Sequence, residues 1–185
     1  GYYGPDSGVA SAERGPMGYV EWQSTTKAIF GGWPYCHGPN SNYNNWDFAT
    51  ATGGEFFTCE TGATNDSRWN TGLETLPPAT APQLYYGDNP GDQKFDELVT
   101  FSPSGGQGPM GGPVFHYDET IENPGQLPEY WDGKAFLYEY SQDYVAAISL
   151  EGLGRPEGTN WDGEVTKLEN FMPNEALETA RQPRW

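Results

Sequence analysis

Lys134-Ala135-Phe136-Leu137-Tyr138-Glu139-Tyr140 and Tyr144-Val145-Ala146-Ala147-Ile148-Ser149-Leu150, separated only by Ser141-Gln142-Asp143, decide the fold class. Both runs are dense in aromatic and β-branched residues, and three polar residues between them predict a tight antiparallel hairpin. Outward from the hairpin, residues 164–171 predict a further strand. Residues 113–118, Pro-Val-Phe-His-Tyr-Asp, alternate in the manner of a half-buried strand. Past residue 172, the stretch 173–181 predicts one or two helical turns.

Composition agrees with an all-β chain. Of 185 residues, 25 are Gly and 16 Pro, together more than a fifth, which demands many turns and little helix. Only 35% are hydrophobic, yet 7 Trp, 12 Tyr and 9 Phe supply large rings, so the core rests on aromatics. Such aromatic content also opposes disorder.

Charge excludes one broad class of partner. With 26 acids against 9 bases the net charge is −17, and a surface of that sign repels the phosphate backbone, so nucleic acid is not an expected partner. No apolar run approaches 18 residues, so no membrane span is expected. Cys36 and Cys59 lie in Gly-, Asn- and Thr-rich sequence and read as a disulfide, which places the chain in an oxidising, secreted or cell-surface setting. Two unpaired thiols are the other reading.

Residues 36–107 read mostly as loop, because Asn40, Asn42, Asn44, Asn45, Gly53, Gly54, Pro77, Pro78, Pro82, Pro90 and Gly91 interrupt any period. So long an irregular stretch must be tied down. The expected ties are the disulfide and the rings of Tyr43, Trp46, Phe48, Phe56, Phe57, Trp69, Tyr85 and Tyr86. Thr71-Gly72-Leu73 and Gln83-Leu84-Tyr85-Tyr86 are its best strand fragments, and residues 27–30 predict one more short extended piece.

Near the start, Arg14-Gly15-Pro16-Met17-Gly18 predicts a tight turn, since Pro fixes φ and Gly supplies unusual φ/ψ. Such a turn can offer backbone carbonyls to a hard cation. Tyr19-Val20-Glu21-Trp22 follows as a short strand, and Gly31-Gly32-Trp33-Pro34-Tyr35-Cys36 closes the segment. This succession resembles the cation-binding loop of the glucose/sorbosone dehydrogenase family, soluble quinoprotein β-propellers. The likeness to a secreted bacterial subgroup extends through Asn42–Phe48, Arg68–Gly72, Gly108–Pro113 and Tyr130–Lys134, nearly the whole chain.

The resemblance implies part of a β-propeller, about two blades of a six-bladed type, with residues 36–107 as a disulfide-pinned insertion in a single segment 1–185. A closed propeller of that kind needs well over 250 residues, roughly 40–50 per blade. The remainder is therefore expected from further sequence or a companion chain, and Gly1-Tyr2-Tyr3 already reads as the end of a strand. Gly-Pro-Met-Gly recurs at 15–18 and 108–111; the echo is either chance or a loop repeated on successive blades.

By resemblance, the implied activity is oxidation of an aldose with calcium and pyrroloquinoline quinone as cofactors. Gly15 and Pro16 would give carbonyl ligands to the calcium, with the Gly4-Pro5 turn as a rival. The family's catalytic His and a cofactor-binding Arg belong to a segment preceding residue 1. Of the two imidazoles here, His116 is the candidate base and His37 merely follows a disulfide cysteine. Asp6, Glu13, Glu21, Asp118, Glu139 and Asp143 are acids near loops, with no spacing that selects a pair. One departure stands out: where the family holds the quinone carboxylates with basic residues, this chain has Asp143, which repels them. The other functions in view are a non-catalytic extracellular module that binds carbohydrate or protein, and a propeller polysaccharide lyase.

Overall fold

A computed structural model describes residues 15–16, 18–25, 27–88, 91–101, 106–150 and 163–171. The chain divides into two compact units, one of Gly1–Gln23 with Lys27–Gly87 and the other of Ser24–Thr26 with Asp88–Trp185. Secondary structure is mostly β, as composition demands.

The second unit holds the predicted hairpin. β8 (Ala135–Glu139) and β9 (Tyr144–Leu150) pair antiparallel, joined by a turn at whose end Asp143 takes a φ of 56°, a left-handed value that Asp tolerates. β7 (Pro109–Val114) adds to β8 and β10 (Val165–Asn170) to β9, giving a four-stranded antiparallel sheet in the order β10-β9-β8-β7. Neighbours in sequence are neighbours in space, an up-and-down meander. β9 is the interior strand that explains the apolar run: Tyr144, Ala146, Ala147, Ile148 and Leu150 are buried, from both faces of the strand. A short helix, α1 (Glu97–Phe101), buries Leu98 and sets Phe101 edge-on to Tyr144, with ring centres 5.6 Å apart.

Side chains tie the edges of this sheet. The buried Glu139 carboxylate accepts from the backbone N–H of Gly108 at 2.7 Å and of Ser141 at 2.8 Å, so the start of β7 is held to the hairpin turn. Gly108 has no room for a side chain, since a Cβ there would lie 2.7 Å from Ser141 Oγ. Elsewhere, a 3₁₀ turn at Glu129–Trp131 brings Tyr130 to Glu169 on β10. Glu169 also accepts from Lys134 and from Lys167, the latter at 2.8 Å, while Lys134 Nζ sits 3.6 Å from the centre of the Tyr130 ring. Burial opposes ionisation of Glu169, but the three donated hydrogen bonds outweigh it and hold the carboxyl down at about 2.

In the first unit, three two-stranded ribbons replace a single sheet. β1 (Val20–Trp22) pairs with β6 (Leu84–Tyr86), β2 (Cys36–His37) with β3 (Ser41–Asn42), and β4 (Asn44–Asp47) with β5 (Thr52–Phe56). Cys36 and Cys59 are bonded and fully buried, and Val20, Tyr43, Ala63, Leu84 and Tyr86 complete the core. The disulfide expectation holds.

Several expectations fail in detail. Residues 36–107 are not continuous loop: Asn42, Asn44, Asn45, Gly53 and Gly54 lie within the strands of short ribbons rather than preventing them. Asn40 and Ala51 turn with positive φ between paired strands. Thr71-Gly72-Leu73 is a bend, and its neighbour Thr75 makes an isolated bridge to Thr64 instead. Residues 27–30 form no strand; the Phe30 carbonyl accepts from Thr80 N–H. The strand expected at 113–118 is displaced to Pro109–Val114, because Tyr117 N–H is taken by the Asp132 side chain at 2.8 Å instead of a ladder partner. That shift puts Pro109, Met110 and Gly111 of the second Gly-Pro-Met-Gly into β7, whereas Gly15, Pro16 and Gly18 of the first precede β1. Of the expected aromatic ties, Tyr43 and Tyr86 are buried, but Phe48, Phe56 and Trp69 are exposed. The expected strand end at residues 1–3 and the helical turns at 173–181 lie outside the described residues.

Candidate functional site

Glu21 and His37, sixteen positions apart, meet inside the first unit. Glu21 is the middle residue of β1, held opposite Tyr85 of β6, and His37 ends β2 opposite Ser41. The Glu21 carboxylate accepts from Gly38 N–H at 2.6 Å, and its Oε1 lies 3.4 Å from His37 Nδ1. Nδ1 is itself buried with no hydrogen-bond partner, while the imidazole donates to the backbone carbonyl of Tyr19. Gly38 permits this approach: its φ is +59°, and a Cβ there would strike the Tyr19 ring at 2.5 Å.

Rings enclose the pair. Tyr19 and Trp33 flank the imidazole with centroids 6.0 and 5.4 Å away, and Tyr43 stacks near it at 6.5 Å. The Cys36–Cys59 bond fixes the strand that carries His37. Gly32, at φ +97°, makes the preceding turn, its carbonyl accepting from Tyr35 and Cys36 N–H, and the Trp33-Pro34 bond is cis. Trp33 is 47% exposed, so the pair has an aromatic ring at the surface beside it.

Desolvation sets the charge state. Burial pushes the Glu21 carboxyl up to about 7, only partly countered by the Gly38 N–H, and the same burial lowers the His37 imidazole. Near neutral pH the imidazole is therefore uncharged and the carboxyl lies close to its midpoint. Such a pair can take up or release one proton without forming a full ion pair.

Gly15 and Pro16 adjoin this centre. Gly15 has a φ of +129°, and a Cβ there would meet the Tyr43 ring at 2.5 Å and the Asn42 carbonyl at 3.1 Å. Gly15 thus abuts the same Tyr43 that stacks near His37. Two carbonyls are a minority of the six to eight oxygens calcium takes. Among the described residues no group of three or more His, Cys, Asp and Glu side chains is placed to hold a metal ion. The rival Gly4-Pro5 turn lies outside the described residues, as do Asp6 and Glu13.

The quinone fits less well. A tricarboxylate needs uncompensated cations, and Lys134 and Lys167 are both engaged by Glu169, Lys94 by Glu164 at 3.5 Å. Asp143 stands at the hairpin turn, as the sequence places it.

The remaining candidates are dispersed. His116 is exposed on the loop after β7, with Nδ1 3.8 Å from Asp132, and not on a strand as expected. Asp118 caps a turn by accepting from Thr120 N–H and Oγ, which holds its carboxyl below the usual range. Glu139 serves the sheet edge. Only Glu21 of the listed acids meets an imidazole among the described residues, and it meets the histidine that sequence reasoning had set aside.

Compared with known proteins, the chain matches no family model, no curated protein and no solved structure. No helix among the described residues is long and apolar enough to cross a membrane.

Proposed function

We propose that this chain is an extracytoplasmic β-propeller segment that takes part in oxidising a sugar, of the glucose/sorbosone dehydrogenase kind. The observation that carries the reading is the β7-β8-β9-β10 meander, four antiparallel strands in sequence order, the unit from which propeller blades are made. The disulfide suits an oxidising compartment. In this reading Gly15 and Pro16 supply carbonyls to a calcium ion beside the Tyr43–His37–Glu21 centre. The cations that hold the quinone come from the rest of the propeller, supplied by further sequence or a companion chain.

The test is a titration of native material, with any chains that accompany it, using pyrroloquinoline quinone with and without calcium, while aldoses are offered and dye reduction is followed. Calcium-dependent dye reduction that Gly15→Ala abolishes supports the reading. No reduction by material shown to contain a complete propeller overturns it.

A second reading, a module that binds carbohydrate without oxidising it, is favoured by an aromatic recess on the β4–β5 ribbon.

A further inference from the structure

β5 is exposed at every residue, although it pairs along its length with β4. On one face of this ribbon lies an open recess of about 410 Å³, within the roughly 300–1,000 Å³ usual for small-ligand sites. Trp46, Phe56, Gly53, Gly54, Thr52 and the buried Asn44 line it. Gly54 is a structural requirement, since a Cβ there would stand 2.7 Å from the Asn45 carbonyl, and Gly53 lies opposite Trp46. Larger side chains would fill the hollow or part the strands.

The lining selects the chemistry of an occupant. It contains no charged side chain, so an ionic ligand gains no counter-charge there. A net charge of −17 further disfavours anions. Two rings offer flat apolar surface, Phe56 being 49% exposed, while the exposed Thr52 offers a hydroxyl at the edge. A neutral molecule with an apolar face and a hydroxyl-bearing rim matches both features. We propose that the β4–β5 recess is a binding site for a neutral saccharide, one pyranose lying against Trp46 and Phe56 with a hydroxyl meeting Thr52. The site includes none of Gly15, Pro16, Glu21 and His37, and the inference stands apart from sugar oxidation.

Maltotriose and cellotriose, titrated into the full chain with no quinone or calcium present, test it by tryptophan fluorescence and by NMR of the aromatic ring signals. Saturable binding of at least one, with Kd of about 1 mM, is expected, with the shifted signals belonging to Trp46 and Phe56. Phe56→Ala should weaken binding at least tenfold. Trp69→Ala, which removes a ring 75% exposed outside the recess, should leave it unchanged. The unmodified chain gives the ring-signal readout even if the Phe56 variant misfolds. No saturation with either sugar, shifts confined to other rings, or binding indifferent to Phe56→Ala would overturn the proposal. Because binding is read without turnover, its failure and a failure of dye reduction are separate results.

Discussion

His37 Nδ1 lies 3.4 Å from Glu21 Oε1, in a setting where burial raises the acid and lowers the base. A Glu21 carboxyl at about 7 in the fold and near 4.5 when unfolded makes the folded state bind the extra proton between those values. Stability from this group is fully present below about pH 4.5 and is lost as pH rises through 7. His37 contributes the opposite slope, losing stability as pH falls below its unfolded value. Glu21→Gln isolates the first effect and keeps an acceptor for Gly38 N–H. The variant should gain on the order of 2 kcal/mol relative to wild type between pH 5 and pH 8, read from urea unfolding at the two values. An equal difference at both would show that Glu21 is ionised throughout.

The Cys36–Cys59 bond closes 23 positions of chain. On the chain-entropy model its reduction should cost about 3 kcal/mol. Hydrogen exchange with and without dithiothreitol should show protection lost at residues 36–59 and retained in β8 and β9. Uniform loss across both units would mean that the bond supports more than its own loop.

Glu169 gives the acid limb of stability. Its folded value near 2 lies below the unfolded 4.5, so the stabilisation is present above about pH 4.5 and disappears as pH falls toward 2. Glu169→Gln should cost on the order of 2 kcal/mol at pH 7, after allowance for partial exposure, and nothing by pH 2. Denaturation curves at the two pH values decide it.

Glu139 accepts two backbone donors at the edge of the meander. Glu139→Ala leaves both N–H groups without their acceptor and should cost about 2–4 kcal/mol, whereas Glu139→Gln retains an acceptor and should cost less. Amide exchange at Gly108 and Ser141 is the specific readout: both should accelerate in the Ala variant.

The hairpin was legible because its information is local. Residues 134–150 contain both strands and their turn, and β9 shows its double-sided burial as an apolar run, Tyr144 to Ile148, followed by Ser149 and Leu150. The ribbons of the first unit were not legible: β1 finds β6 more than sixty positions away, and no periodicity in three residues announces such a partner. The nearness of His37 to Glu21 was not legible for the same reason. Its neighbour in sequence is a cystine, but its neighbour in space is Glu21, brought there by the Gly38 turn. The Gly38 position, a glycine directly after Cys-His, was the one available signal. Exposed rings such as Phe56 were misassigned as ties because composition records that a ring is present, not which face of a ribbon it occupies.

The two prolines of β7, at 109 and 113, have no N–H to donate, and the register of that strand slips between Gly111 and Val114. A strand at the border of a sheet tolerates both defects, and they also make it a poor template for another strand. β10, from Val165 to Asn170, has no proline, although its register against β9 also shifts between Val165 and Lys167. Growth by strand addition, whether by a neighbour in the same protein or by misassembly between copies, is therefore opposed at the β7 border, where two positions offer no donor.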